Sequence, residues 1–162
     1  MAKKLGFESE YVEALKHAAP LHDLGKIAIP ESILHKPGKL NPEEWAVMQT
    51  HAQVGHDLLA GSNKIIARLG AEISLCHHEK WDGTGYPRQL AGEDIPLVGR
   101  IMAITDVFDA LGSKRSYKEP WNNHEIKAFI IEQKGKHFDP KLVDLLIENF
   151  DEFVEIRNNY PD

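Results

Sequence analysis

Residues 22–26 have the sequence His22-Asp23-Leu24-Gly25-Lys26, which sets an imidazole beside a carboxylate and places a lysine three residues after the aspartate. Both groups bind divalent metals, and a carboxylate has two oxygens with which it can bridge two ions. Neighbouring side chains on a helix point about 100° apart, so the pair can converge on one centre only near a helix end, where Gly25 lets the chain turn. By itself the dipeptide is more typical of a packed histidine beside a capping aspartate.

Length and composition indicate one domain with a single core, because the chain has 162 residues, of which 42% are hydrophobic and 27% charged. The net charge of −6 and the lack of a basic run argue against a nucleic-acid polymer as partner. Cys76 is the only cysteine, so neither an intrachain disulfide nor a thiolate zinc cage can form. The sequence has no apolar stretch near the ~20 residues of a membrane span, and we expect a cytoplasmic domain without a membrane partner.

Three apolar stripes at helical spacing each include a histidine. They are Tyr11, Leu15, Ala18 and His22; Val47, His51, Val54 and Leu58; and Ile66, Leu69, Ile73 and His77. His78 follows directly on the third stripe. Three histidines are therefore expected to point into the core from three different helices.

Start and stop signals divide the chain between these helices. Pro20 predicts a kink late in the helix of residues 9–23, just before the His-Asp pair. Asn41-Pro42-Glu43-Glu44 predicts a capped helix start. Residues 27–40 are expected to be irregular, and residues 82–96, with three glycines and two prolines, to form a loop.

Residues 97–111 predict a central helix, because this segment is apolar almost all round and carries only Arg100, Asp106 and Asp109 as charges. Asp106 must then be ion-paired or metal-bound, since an unpaired buried charge costs roughly several kcal/mol. Further helices are expected from Asn122 and from Asp139-Pro140, and no strand pattern is convincing. The sequence predicts an all-α fold, a compact bundle of about five to six helices.

Four imidazoles and two carboxylates are more polar groups than one core accommodates without a purpose. The six potential metal ligands are His22, Asp23, His51, His77, His78 and Asp106. With Asp23 as a bridge they divide into His22, Asp23 and Asp106 for one ion and Asp23, His51, His77 and His78 for a second. Two-metal centres hold their ions roughly 3.5–4 Å apart and suit in-line attack on phosphorus. The alternative is a set of histidines that are satisfied independently in the core.

Several motifs resemble those of a known family. Residues 22–26, HDLGK, resemble the signature of the HD metal-dependent phosphohydrolase superfamily. Residues 77–87, HHEKWDGTGYP, are similar to the HHExxDGxGYP motif of its HD-GYP subfamily, and this match is far more specific than HDLGK alone. Residues 106–111, the segment Arg115 to Lys118, and Phe138-Asp139-Pro140 match as well, so the resemblance spans about residues 5–147.

The resemblance implies an HD-domain fold with a GYP loop, and hydrolysis of the bacterial second messenger cyclic di-GMP to pGpG, in some members onward to GMP. By motif position it also supports the six ligands named above. It implies two divalent metal ions, iron or manganese, although the ligand types alone do not choose among iron, manganese, nickel and zinc.

The resemblance also implies roles for residues around the metals. Asp23 and Lys26 would be catalytic, and Lys26 would contact the scissile phosphate. Tyr86 of the GYP loop (Gly85, Tyr86 and Pro87), together with Arg115 and Lys118, would hold the phosphates and bases of the substrate. An ordinary surface loop and solvated cations are the alternatives. Glu79 is a candidate for orienting a neighbouring histidine. The remaining histidines, expected at the surface or in packing, are His17, His35, His56, His124 and His137.

One departure from the family concerns the start of the chain, since the family pattern has an earlier helix with a further histidine ligand and, in three-metal members, a glutamate. We expect residues 1–162 to form a single domain without that helix, in which residues 150–162 are the last helix end and tail. Two hypotheses follow: a phosphodiesterase domain with activity reduced by the missing ligand, or an impaired regulatory module that binds cyclic di-GMP or a diguanylate-cyclase (GGDEF) partner. An upstream sensor domain, and a dimer through the groove left by the missing helix, are further expectations.

Overall fold

The computed structural model describes residues 1–113 and 119–159, and these residues fold into helices without a β-strand. The eight α-helices are α1 (Ser9–Ala18), α2 (Glu31–Leu34), α3 (Pro42–Leu59), α4 (Ile65–Cys76), α5 (Leu97–Gly112), α6 (Asn123–Glu132), α7 (Pro140–Glu148) and α8 (Phe150–Asn159). Shorter 3₁₀ segments cover Ala2–Leu5, Ala19–Ala28 and Gly92–Asp94. The all-α prediction is confirmed. The described helices outnumber the five to six expected because the region 27–40 contains the one-turn α2 and the last predicted helix is interrupted at Asn149.

The predicted helix of residues 9–23 changes type where the sequence predicted a kink. The α-helix ends at Ala18, and the chain continues as a 3₁₀ helix through Ala28, with Pro20 in its first turn. Proline has no amide hydrogen to donate to the preceding turn, so it interrupts α-helical hydrogen bonding at this point. His22 and Asp23 therefore lie in a tighter helix than the α-helix assumed in the stripe analysis.

The start of α3 is as predicted, but its buried face is not. The side chain of Asn41 accepts the Glu44 amide at 2.8 Å, and the Glu44 carboxylate accepts the Asn41 amide at 2.9 Å, forming a capping box. Val47 and Leu58 of the predicted stripe are 37% and 57% exposed. The buried residues of α3 are His51, Ala52 and Gly55. The helix turns this small-residue face inward because neighbouring backbone approaches it there.

Three segments of the chain, the 3₁₀ helix with Gly25, α3 with Gly55 and α4 with Ser74, meet at that face with almost no space between them. A Cβ atom added to Gly25 would lie 2.0 Å from the His51 carbonyl oxygen and 2.5 Å from the Gly55 amide nitrogen. One added to Gly55 would lie 2.0 Å from the Ser74 Oγ. The Ser74 hydroxyl donates to the His22 carbonyl at 2.9 Å. Glycine is required at such crossings, and the crossing fixes the three histidine-bearing segments relative to each other.

The hydrophobic core lies between α1, α4, α5, α6, α7 and α8, and α5 is central to it as predicted. Its fully buried members include Ile73, Ile104, Ile126, Ile130 and Leu146. Burying each such side chain contributes roughly 1.5–3 kcal/mol. Ile66, at the start of the third predicted stripe, is 38% exposed, whereas Leu69, Ile73 and His77 of the same stripe are buried. No helix in the described parts of the chain has the length and apolar character needed to cross a membrane.

Candidate metal centre

Five side chains from four segments of the chain converge on Asp23. One ligand atom each from Asp23, His51, His77 and His78 lies within 4.8 Å of all the others. On this side Asp23 Oδ1 is 3.6 Å from His51 Nε2 and 3.9 Å from His77 Nε2. Its other oxygen, Oδ2, is 3.3 Å from His22 Nε2, and that nitrogen is 3.9 Å from Asp106 Oδ1. The two oxygens of one carboxylate thus face two different groups of donors.

Backbone carbonyls fix the orientation of three of the imidazoles. His22 Nδ1 lies 2.8 Å from the Ala19 carbonyl oxygen. His51 Nδ1 lies 2.7 Å from that of Met48, and His77 Nδ1 2.9 Å from that of Ser74. A carbonyl oxygen only accepts, so each Nδ1 carries a hydrogen, and in the neutral imidazole each Nε2 has a free lone pair. All three lone pairs are directed at the Asp23 side of the cluster, the arrangement in which metal-binding histidines are usually held.

The electrostatics of the cluster favour three neutral imidazoles, those of His51, His77 and His78, beside an ionised carboxylate. Burial lowers the pKa of His78 to about 2 and that of His77 to about 4, and neighbouring imidazoles add to both effects. Burial also lowers the pKa of His51. Burial opposes the charge of Asp23, but hydrogen bonds with His22 and Lys26 hold the pKa of Asp23 well below its usual value. Burial disfavours the charged form of His22, but the nearby Asp23 carboxylate, the Ala19 carbonyl and the Asp106 carboxylate together outweigh burial and raise the pKa of His22.

The residues present fit a divalent metal. Ligands must be deprotonated to bind one, and His51, His77, His78 and Asp23 are in that form near neutral pH. The donors are nitrogen and oxygen, which suit iron, manganese, nickel or zinc rather than copper(I). The only thiol, Cys76, is buried and its pKa is raised to about 12 by that burial, so it does not compete as a thiolate.

Lys26 and the GYP loop border the cluster. The Lys26 ammonium lies 2.6 Å from Asp23 Oδ2, and 40% of its side chain is exposed. The ring of Tyr86 stacks on the ligand candidate His78, with centroids 4.7 Å apart and planes 26° apart. The peptide bond between Tyr86 and Pro87 is cis. Gly85 presses against the preceding backbone, where an added Cβ atom would lie 2.3 Å from the Lys80 amide nitrogen. Arg115 and Lys118 lie outside the described residues.

Glu79 differs from its expected role, because its carboxylate binds the loop and not a histidine. It is 1% exposed and accepts the backbone N–H groups of Arg88 at 2.7 Å and Leu90 at 3.1 Å. Burial raises the pKa of this carboxyl group against the effect of those hydrogen bonds. Glu79 therefore ties the segment after Tyr86 to the segment that carries His77 and His78. No residue type marks a backbone amide as a partner, so the sequence offered no sign of this contact.

Replacing Glu79 with glutamine should loosen the GYP loop without removing volume. An amide has one acceptor oxygen, so one of the two loop N–H groups loses its partner, which costs roughly 1–3 kcal/mol. We expect the melting temperature to fall by about 2–4 °C per kcal/mol. Hydrogen exchange at the amides of Arg88 and Leu90 should accelerate. Glu93→Gln is the matched control, because Glu93 is an exposed partner of Lys141. Equal behaviour of the two variants would contradict the role of Glu79.

The other histidines lie outside the cluster, in agreement with the prediction. His17, His35 and His124 are exposed. His56 Nδ1 pairs with Asp57 at 3.0 Å. His137 stacks on Phe138, with ring centroids 4.3 Å apart.

The predicted start of α7 at Asp139 is confirmed. The Asp139 side chain also holds the region after the GYP loop in place. The buried Asp139 carboxylate accepts the Lys141 amide at 2.8 Å and an Arg100 guanidinium N–H at 2.7 Å. Arg100 donates a second hydrogen bond to the Ile95 carbonyl at 2.9 Å. The loop between α4 and α5 is thereby tied to α7.

Comparison with known proteins identifies similar sequences along the whole chain. Residues 1–142 match the family described as HD domain. The chain is 54% identical over 162 residues to the 3'3'-cGAMP-specific phosphodiesterase 2 of Vibrio cholerae, covering 100% of this chain and 31% of that protein. It is 51% identical over 147 residues to the cyclic di-GMP phosphodiesterase response regulator RpfG of Xanthomonas campestris, covering 91% of this chain and 39% of that one.

Two further comparisons concern a relative from a third organism and the fold. A cyclic di-GMP phosphodiesterase of Thermotoga maritima is 43% identical over 162 residues, which are 100% of this chain and 44% of the relative. A crystal structure of a cyclic GMP-AMP specific phosphodiesterase of V. cholerae (V-cGAP3) superposes with a TM-score of 0.68 over 99% of this chain and 46% of that chain, at 22% identity. The chain thus spans about a third to somewhat under half of the relatives named here.

Proposed function

The chain belongs to the HD domain family, and from that premise we propose that it is a metal-dependent phosphodiesterase domain of the HD-GYP type that hydrolyses cyclic di-GMP to pGpG. The proposal rests mainly on one observation: the two carboxylate oxygens of Asp23 face two separate groups of candidate metal ligands. Its Oδ1 faces His51 and His77, and its Oδ2 faces His22. The names of the relatives support a cyclic dinucleotide as the substrate. Further hydrolysis to GMP is part of the same proposal.

Two divalent ions, iron or manganese, are proposed as cofactors. One would be held by His22, Asp23 and Asp106. The other would be held by Asp23, His51, His77 and His78. When bound, such ions supply Lewis acidity, which lowers the pKa of water and offsets charge at phosphorus.

The chain's own residues contribute charge and position. Asp23, with its low pKa, stays ionised across the physiological range and holds its two oxygens toward the two donor groups. Lys26 is half-exposed beside it, where its ammonium can offset charge that develops on the scissile phosphate. Tyr86 lies over His78 and limits how substrate approaches that side. Arg115 and Lys118 are proposed from their motif positions to hold the substrate phosphates.

A regulatory module that binds cyclic di-GMP without turnover is the second candidate. It is favoured by the smaller donor set around His22, which consists of three residues against four around His51. A set of three binds an ion less tightly, so one ion could be retained and the other lost. A GGDEF-domain partner, an upstream sensor domain, a dimer and a cytoplasmic location remain predictions.

The test is metal analysis followed by an assay on the same anaerobically purified sample, loaded with iron(II) or manganese(II). We expect about two ions per chain and conversion of cyclic di-GMP to pGpG, resolved by chromatography. 3'3'-cGAMP is assayed in parallel to define the dinucleotide. If the protein binds cyclic di-GMP in calorimetry but forms no product with either metal, the enzyme proposal is wrong and the regulatory module stands.

A further inference from the structure

Trp45 is a large apolar side chain that the fold leaves uncovered beside the metal centre. It lies in the first turns of α3 and is 47% exposed. Its ring meets the ring of Tyr86 edge to face, with centroids 6.0 Å apart and planes 82° apart. Tyr86 in turn stacks on His78 at 4.7 Å. Three aromatic rings therefore extend in series from the histidine cluster to the solvent.

The position of Trp45 is fixed by the start of its helix. The Trp45 amide donates to the Asn41 carbonyl at 2.8 Å, the first hydrogen bond of α3. The capping box between Asn41 and Glu44 holds this turn, and the Lys36 ammonium binds both oxygens of the Glu44 carboxylate, at 2.7 and 2.6 Å. A ring on such a rigid turn loses little conformational freedom when a ligand contacts it.

Packing alone accounts for only part of this arrangement. An edge-to-face pair contributes roughly 0.5–1.5 kcal/mol beyond buried area, and this explains the contact between Trp45 and Tyr86. It does not explain why 47% of this large apolar residue stays in solvent. Exposed tryptophan is typical of surfaces that bind a ligand or partner, and every nucleobase has a π-face that can stack on it.

We propose that the exposed ring of Trp45 stacks on a nucleobase of the cyclic dinucleotide held at the metal centre. This inference rests on the proposed function and adds a residue that recognises the base rather than the phosphate. Aromatic stacking tolerates either purine, so Trp45 selects nucleotides over simple phosphodiesters and does not separate guanine from adenine. Its contribution is to affinity, because its ring lies against Tyr86, which in turn stacks on the ligand candidate His78.

The experiment compares wild type, Trp45→Ala and Trp45→Phe, with Ile131→Ala as the control. Ile131 is 49% exposed on α6, so it matches Trp45 in exposure and lies on another helix. The measurements on metal-loaded protein are the Kd of cyclic di-GMP by calorimetry and hydrolysis of two substrates. These are cyclic di-GMP and bis(p-nitrophenyl) phosphate, a diester without a nucleobase. Melting temperatures establish that each variant is folded.

For Trp45→Ala we expect Kd and KM for cyclic di-GMP to rise about 5- to 150-fold, the range that loss of one base–aromatic stack gives. The kcat for cyclic di-GMP and the hydrolysis of the nucleobase-free diester should stay at wild-type values. Trp45→Phe should recover most of the affinity, because phenylalanine keeps a stacking face. Ile131→Ala should behave as wild type.

Other outcomes overturn the inference in distinct ways. An unchanged Kd in Trp45→Ala shows that the base does not contact the ring. An equal loss for both substrates shows that Trp45 supports the Tyr86 loop and not a base. If the wild-type protein itself binds no cyclic dinucleotide, both the proposed function and this inference are wrong. That outcome is measured on wild-type protein alone, so it is distinguishable from a failure of the Trp45 inference.

Discussion

Replacing His51 with alanine is expected to remove metal from the protein and to reduce phosphodiesterase activity by at least about 100-fold, because loss of an outer partner of a metal ligand already costs roughly 10–100-fold. The His51 side chain is 1% exposed and its Nε2 lies 3.6 Å from Asp23 Oδ1. The same nitrogen is 3.5 Å from His77 Nε2. His51 thus lies at the meeting point of the donors on one side of Asp23, and alanine leaves that side with two imidazoles. The measurements are metal ions per chain and initial rates of hydrolysis.

His56→Ala provides the control for this experiment. His56 lies five residues further along the same helix and pairs with Asp57, outside the cluster. We expect this variant to keep the metal content and rate of the wild type. Far-UV circular dichroism on both variants separates loss of ligand from loss of fold. Wild-type metal content in folded His51→Ala would contradict the assignment of His51 as a ligand.

The helical signals of the sequence were sufficient for the fold because they depend on neighbours in the chain. The capping boxes at Asn41 and Asn122 need only a residue three positions away, and both are formed. The helix of residues 97–111 places its apolar residues in the core for a similar reason, although the Asp106 side chain is 37% exposed and not buried as the sequence predicted. These features are local, so the sequence predicts them directly.

The exposed positions on α3 show where the same reasoning fails. A stripe of Val47, His51, Val54 and Leu58 marks one face, but the face that is buried is decided by the segment packed against it. That segment carries Gly25, which approaches the backbone of α3 more closely than a larger residue could. Periodicity carries no information on such close approach, so it predicted the burial of His51 and missed that of Gly55.

Residue types were enough to propose that the six metal-ligand candidates converge. They were not enough to predict the hydrogen bonds that orient these side chains. The three Nδ1 hydrogen bonds go to backbone carbonyls of Ala19, Met48 and Ser74. The loop contact of Glu79 likewise goes to backbone amides. Every residue has these groups, so no motif distinguishes the ones that are used.

Replacing Gly25 with alanine is expected to destabilise the protein by about 3 kcal/mol or more, at or beyond the upper end for overpacked sites. The added Cβ atom would lie 2.0 Å from the His51 carbonyl oxygen and 2.5 Å from the Gly55 amide nitrogen. Both are backbone atoms, which have no alternative rotamer, so the 3₁₀ segment and α3 must separate. The melting temperature should fall by about 6–12 °C, since each kcal/mol corresponds to roughly 2–4 °C at this size. Metal content should fall too, because the separation carries Asp23 away from His51.

Gly61→Ala is the control: nothing lies within 4 Å of its added Cβ atom, and a change within about 0.5 kcal/mol is expected. A Gly25→Ala protein as stable as the control would mean that the two segments can part without loss. The close crossing would then not be what brings the ligands together.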